Sequence, residues 1–207
     1  YKASRQIIAV SKIAADSATN FYQLPSNSIT VLPNPVDTDA LRQTIEQEQR
    51  PETAPTLKLV CVGRMTEEKG HRDLLNAIVI AQANWPNANP AIQLRLIGDG
   101  PLRTDLELQA REIRKPHSVE FSGTLSNVGP SIINSDALIL PSLFEGMPNV
   151  VLEAMALETP VIATRAGGSI ELEREEPTIL WAEPQNPNSL AEAILSFASD
   201  PKSAVRR

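Results

Sequence analysis

The stretch LKLVCVGRMTEEKGHRDLLNAIVIAQANW occupies Leu57–Trp85. It opens as a near-continuous apolar run, turns at Gly63 and carries a charged loop as far as Gly70. Beyond the loop, Leu74, Leu75, Ile78 and Ala81 recur at helical spacing. A short apolar run without polar alternation suits a strand buried on both faces, and an amphipathic helix after it suits a layer packed on one of them. Downstream, LRLIG, VEFSG, ALILPS, PVIAT and TILW repeat the apolar run, most of them separated by helix-length stretches. Strands alternating with helices predict an α/β fold, a doubly wound Rossmann-like parallel sheet.

Gly63, Gly98 and Gly123 each close a predicted strand. Open parallel sheets bind ligands just outside the carboxyl ends of their strands, and glycine lets backbone approach a ligand closely. Upstream, Gln6–Val10 and Ser28–Leu32 read as short strands around a helix-like stretch. The polar segment Thr38–Thr56, which includes EQEQRPETAP, reads as a linker. The expected division is therefore residues 1–56 and residues 57–207.

The 207 residues are 42% hydrophobic and 21% charged, which is the balance of a globular protein with a real core. A net charge of −6 disfavours nucleic-acid binding by bulk charge. Cys61 is the single cysteine, so it supports neither a disulfide framework nor a cysteine zinc site; it reads as a small core residue in a cytoplasmic, reducing setting. No run approaches the roughly 18 apolar residues of a membrane span. The chain starts at Tyr1 without an initiator Met, as an excised piece would.

Three groups have chemical potential. In GRMTEEKG, Arg64 and Lys69 follow a strand end and precede a helix, where cations, free N–H groups and the helix dipole suit an anion. The loop is neither a Walker A nor a G-x-G-x-x-G pattern, and Glu67 and Glu68 could neutralise it as surface pairs. The second group is PSLFEGMPNVVLEAMALETP at Pro141–Pro160. Asn149 reads as the N-cap of a helix over Val150–Glu158, ended by Pro160; this places Glu145 in the loop and Glu153 in the first helical turn. A carboxylate accepts from two neighbouring hydroxyls, so two of them could hold two sugar diols. The third is Gly167–Gly168, which a tight turn explains equally well. His71 reads as a helix start and His117 as a surface turn, and neither is a strong candidate for a metal or general-base role. No G-x-S-x-G element occurs.

The ordered set GRMTEEKG, LIGDGPLRTDLE, FSG, PSLFEGMPNVVLEAMA and PVIATRAGG over Leu57–Leu172 resembles retaining glycosyltransferases of the GT-B fold, family 4 (glycosyl transferases group 1), in their C-terminal donor-binding domain. IIAVSK and ITVLPNPVDTDAL resemble the segments that close the preceding acceptor domain. The resemblance implies that Arg64 and Lys69 bind the diphosphate of a nucleotide-sugar donor, in place of a metal. It implies that Glu153 binds the ribose and that Glu145 lies by the transferred hexose. Backbone at Gly63 and at Gly146, Met147, Pro148, Asn149 and Val150 would contact the donor, and Leu125 would lie near the base. The nucleotide-diphosphate sugar is then a substrate, and neither cofactor nor metal is expected.

Two departures from the family stand out. Leu157 and Glu158 stand where the family has a small residue and glycine, and EREEPTILW lacks the family's glycine. The length also implies a missing N-terminal acceptor domain, so the fragment would bind donor without turnover. This piece shows no membrane anchor, and peripheral membrane association of the complete enzyme is compatible with the resemblance. Two alternatives stand beside this reading: a nucleotide-sugar-binding module without catalysis, and a sugar-nucleotide epimerase of the same architecture.

Overall fold

The computed structural model describes residues 6–25, 27–43, 56–86, 88–173 and 178–201. Strand β1 (Ile7–Ala9) and strand β2 (Ile29–Val31) pair in parallel, joined by helix α1 (Lys12–Tyr22). The Ser11 hydroxyl caps α1 by accepting from the Ala14 N–H at 3.1 Å. Helix α2 (Thr38–Gln43) follows, so the expected linker is helical at its start; the rest of that stretch, residues 44–55, lies outside the described residues.

The larger unit begins at β3 (Thr56–Val62) and continues through α3 (His71–Ala83), β4 (Ala91–Ile97), α4 (Arg103–Gln109), β5 (Ser118–Gly123) and α5 (Gly129–Ile133). It then runs through β6 (Ala137–Leu140), α6 (Asn149–Ala156), β7 (Val161–Thr164), β8 (Ile179–Ala182) and α7 (Pro187–Ser199). The six strands lie in the order β5-β4-β3-β6-β7-β8, every neighbouring pair parallel. This is the doubly wound order that the apolar runs predicted. The chain builds outward from β3 to β5, returns to β6 on the other side of β3, and builds outward again. The strand order therefore reverses between β3 and β6, and a crevice opens at their carboxyl ends.

Both faces of the sheet carry a buried core. On one side Leu57, Leu59 and Cys61 of β3 pack with Leu74, Leu75 and Ile78 of α3, Leu106 of α4, and Leu190, Ile194 and Phe197 of α7. On the other, Val60 of β3 packs with Ile132 of α5 and with Val151 and Ala154 of α6. From Leu59 to Cys61 successive residues of β3 enter opposite cores, so this part of the strand reads as an unbroken apolar run. Burial in the first core pushes the Cys61 thiol up to about 12, as expected of an inert core cysteine.

Two local expectations are corrected. Helix α6 starts at Asn149 with Pro148 at the cap position, and Asn149 makes no capping bond. Glu153 is therefore the fifth helical residue, one turn in, and Val151 and Ala154 are the helix's buried residues. His117 does close a turn, its N–H donating to the Arg114 carbonyl at 3.0 Å, but it is buried rather than on the surface. It is 8% exposed, its Nδ1 accepts from the Ile92 N–H at 3.1 Å, and its ring meets Trp85 edge-on. After β7 the chain makes a 3-10 turn at Gly167–Leu172.

Candidate functional site

The loops that leave β3 and β6 meet at the switch point. The β3 loop runs from Gly63 through a 3-10 turn, Glu67–Lys69, to Gly70 at the start of α3. Gly70 takes φ +65°, and a Cβ there would lie 1.9 Å from the Pro141 carbonyl oxygen. Only glycine lets the two loops close to this distance. The Leu143 N–H then donates to the Glu68 carbonyl at 2.8 Å.

Across that seam Lys69 Nζ donates to Glu145 Oε1 at 2.7 Å, and the Ser142 hydroxyl donates to the same oxygen at 2.6 Å. The Glu145 carboxylate is buried, 9% exposed in its side chain, whereas the Lys69 side chain is 25% exposed. An ammonium has three donors. One is committed to Glu145, and the partly open Lys69 retains donor capacity toward the crevice. Ser142 is itself held from below, because the Thr164 hydroxyl of β7 donates to the carbonyls of Leu140 and Ser142. The chain Thr164–Ser142–Glu145–Lys69 thus orients one cation from the middle of the sheet. Neither Ser142 nor Thr164 stood out in the sequence; the signal was a hydroxyl residue closing β7 at Thr164 and another two positions beyond β6 at Ser142.

Arg64 lies apart from this pair. Its side chain is 77% exposed and approaches Glu68 at 3.6 Å, while Glu67 approaches Arg72 at 3.7 Å. The expected acidic neutralisation of the loop therefore holds for Arg64 but not for Lys69. The exposed pair with Glu68 contributes little energy, so Arg64 is free to swing to a ligand.

Gly167 and Gly168 close the loop from the other side. The Gly168 N–H donates to the Glu145 carbonyl at 2.8 Å, and a Cβ on Gly168 would lie 1.7 Å from the Gly146 carbonyl oxygen. The glycine pair is explained by this close packing. Glu153, half-buried on α6, has its carboxyl pushed above the ordinary glutamate range by desolvation. It lines a cleft of about 320 Å³ with Asn127, Asn149 and the segment Pro35–Leu41. Leu125 packs into the second core near β5 rather than standing free.

Beneath Lys69 sits His71, 1% exposed, with neither ring nitrogen hydrogen-bonded. Burial, and then the Lys69 charge, lower it from the usual 6.5 to about 4, so the ring is neutral. Among the described residues no group of three or more His, Cys, Asp or Glu side chains could share a metal ion. No described helix is long and apolar enough to cross a membrane.

A crevice at the switch point, walled by a cationic loop and a glutamate loop, is where an open doubly wound α/β sheet takes its ligand. Residues 56–200 match the family model of glycosyl transferases group 1, and the chain belongs to that family. It is 31% identical over 206 residues to the glycogen synthase of Mycobacterium tuberculosis, covering 99% of this chain and 48% of that protein. It is 36% identical over 138 residues to the putative teichuronic acid biosynthesis glycosyltransferase TuaC of Bacillus subtilis, covering 67% of this chain and 32% of that one. Among solved structures, the Anabaena protein HepE in complex with UDP superposes with a TM-score of 0.78 at 22% identity, over 98% of this chain and 56% of that one. HepE is also known in complex with UDP-glucose. The chain thus spans about half the length of the relatives that it matches along its whole length.

Proposed function

We propose that this chain holds the nucleotide-sugar donor of a retaining GT-B glycosyltransferase of family 4, and that the complete protein transfers a hexosyl group to a saccharide or glycolipid acceptor. The observation that carries the reading is the buried Lys69–Glu145 pair at the switch point, oriented from Ser142 and Thr164. A cation fixed in this way loses little freedom when a diphosphate arrives, so more of its Coulomb energy goes into stabilising charge.

In this reading Lys69 and the mobile Arg64 hold the diphosphate. The leaving diphosphate gains negative charge as the glycosidic bond breaks, and the two cations stabilise that change. Losing one such donor typically costs about 10²–10³ in rate. Glu153 accepts from the ribose diol, while Leu125 lies toward the base. Glu145 anchors Lys69 and lies beside the transferred hexose, with Gly63 and the backbone of Gly146–Val150 lining the approach. The UDP and UDP-glucose complexes of HepE support the donor class.

In the same reading, residues 1–56 are the tail of an acceptor-binding domain plus a linker, and residues 57–207 are the donor domain. Ile8, Phe21, Val31 and Leu32 are 54%, 80%, 40% and 59% exposed around the two-stranded sheet. That apolar surface fits the remainder of a second domain, without which the chain binds donor but does not turn over. Calorimetric titration with UDP, GDP, ADP and their glucose conjugates tests the reading. Binding of at least one pair is expected, with Glu153→Ala weakening the bare diphosphate. A folded chain that binds none of them at millimolar concentration overturns it.

A further inference from the structure

The segment between β2 and α2 reaches back across the sequence to the donor loop. Asn34 Nδ2 donates to the Met147 carbonyl at 3.2 Å and to Asn149 Oδ1 at 2.6 Å. Pro33 and Pro35 flank Asn34 and fix its neighbours' φ near −65°, so the strap reaches this contact with little freedom left to lose. Asp37 then starts α2, its carboxylate accepting from the Ala40 N–H at 2.9 Å. Between these points the strap, through Pro35, Val36, Asp37 and Leu41, forms one wall of the 320 Å³ cleft whose other wall carries Asn127 and Glu153.

The bond to Asn149 also accounts for the start of α6. Asn149 would ordinarily cap the helix, but its side-chain oxygen accepts from Asn34 instead, and the helix begins one residue earlier with Pro148 at the cap. The N–H groups of this first turn have no side-chain cap. A capping side chain would compete with a ligand for them.

We infer that Asn34 is a positioning residue. Its amide holds Met147–Asn149 in place, keeps the first turn of α6 uncapped toward the crevice, and fixes the strap as the second wall of the nucleoside cleft. This inference rests on the donor-site reading for its consequence, but not for its geometry. Loss of the tether frees both the strap and the loop at Met147–Asn149. Nucleotide affinity then falls although no group touching the nucleotide has been removed.

Two measurements on the full chain test it. Hydrogen exchange is followed in Asn34→Ala, and in Asn34→Asp, which keeps the size but removes the donor. Both variants are expected to exchange faster at residues 147–152, with the amides of β3 to β7 unchanged. Unchanged exchange at 147–152 overturns the positioning role. UDP titration then carries a double-mutant cycle with Asn149→Ala. Asn34→Ala is expected to weaken UDP about tenfold, and the double variant to bind like the weaker single variant. Unchanged affinity in a chain that binds UDP, or fully additive effects, overturns the coupling. Faster exchange in a chain whose wild type binds none of UDP, GDP and ADP upholds the tether and overturns the donor-site reading instead.

Discussion

Lys69 and Glu145, 76 positions apart, place Nζ and Oε1 2.7 Å from each other at the point where the strand order reverses. The carboxylate is nearly closed to water and the ammonium is a quarter open. Removing the cation therefore strands a buried charge, whereas removing the carboxylate leaves a cation that water still reaches.

The asymmetry gives an order of variants. Lys69→Ala is expected to cost about 1–3 kcal/mol, below the range for a fully buried broken pair because the lysine is partly solvated. Glu145→Gln keeps an oxygen for Lys69 and for Ser142 and is expected to cost about 1 kcal/mol. Urea denaturation of the two variants and the wild type checks the order. Equal midpoints for Lys69→Ala and wild type would show that the pair contributes nothing.

His71 makes acid stability diagnostic. Its folded-state value is about 4 against an ordinary 6.5, so between these values the unfolded chain binds a proton that the folded chain refuses. The associated stability is complete above about pH 6.5 and is lost as pH falls toward about 4, at most about 3 kcal/mol. His117, also lowered by burial, adds in the same direction. His71→Leu is expected to flatten the dependence of thermal stability on pH in this window. A profile parallel to that of the wild type would contradict the neutral buried ring.

The architecture was legible because a strand buried on both sides has no polar face; β6, β7 and the second half of β3 stand out as apolar runs, while β4 is marked by alternation. Glycines at Gly63, Gly98 and Gly123 then marked the carboxyl edge of the sheet. The site was legible only in kind. That Lys69 and not Arg64 pairs with a glutamate depends on the β3 and β6 loops closing over Gly70, which no local pattern encodes. The start of α6 was misplaced for the same reason, since the Asn149 side chain is engaged by Asn34, 115 positions away. His117 looked exposed beside Arg114, Lys115 and Pro116, yet its ring fills a gap against Trp85.

Glu158 supplies a stability prediction away from the site. It follows α6 at φ +55°, with the Thr159 N–H donating to the Ala154 carbonyl at 2.9 Å and its own N–H to Met155 at 3.1 Å. This is the helix-ending arrangement in which glycine is favoured, and glutamate there carries about 1–2 kcal/mol of left-handed strain. The greater freedom of glycine in the unfolded chain offsets part of the gain. Glu158→Gly is expected to stabilise by about 0.5–1 kcal/mol, raising Tm by about 1–4 °C. A lower Tm would mean that the exposed glutamate makes a compensating contact.

The smaller unit is fastened to the larger one by a carboxylate. Glu171, in the 3-10 turn after β7, accepts from the Lys12 N–H at 2.9 Å and the Ile13 N–H at 2.6 Å. These are the first two helical residues of α1, where free donors and the helix dipole both favour an anion. Close packing supports the same contact, because a Cβ on Gly168 would lie 2.6 Å from the Ser11 hydroxyl. Glu171→Ala removes both bonds and is expected to cost about 1–2 kcal/mol, felt in the docking of α1 rather than in the sheet. Glu171→Gln retains an acceptor without the charge and is expected to fall between. Amide exchange at residues 12–22 should accelerate in the order wild type, glutamine, alanine, while β3 to β7 keep their protection. Acceleration across the whole chain would instead make α1 part of the global folding unit, with Glu171 contributing to its stability as a whole.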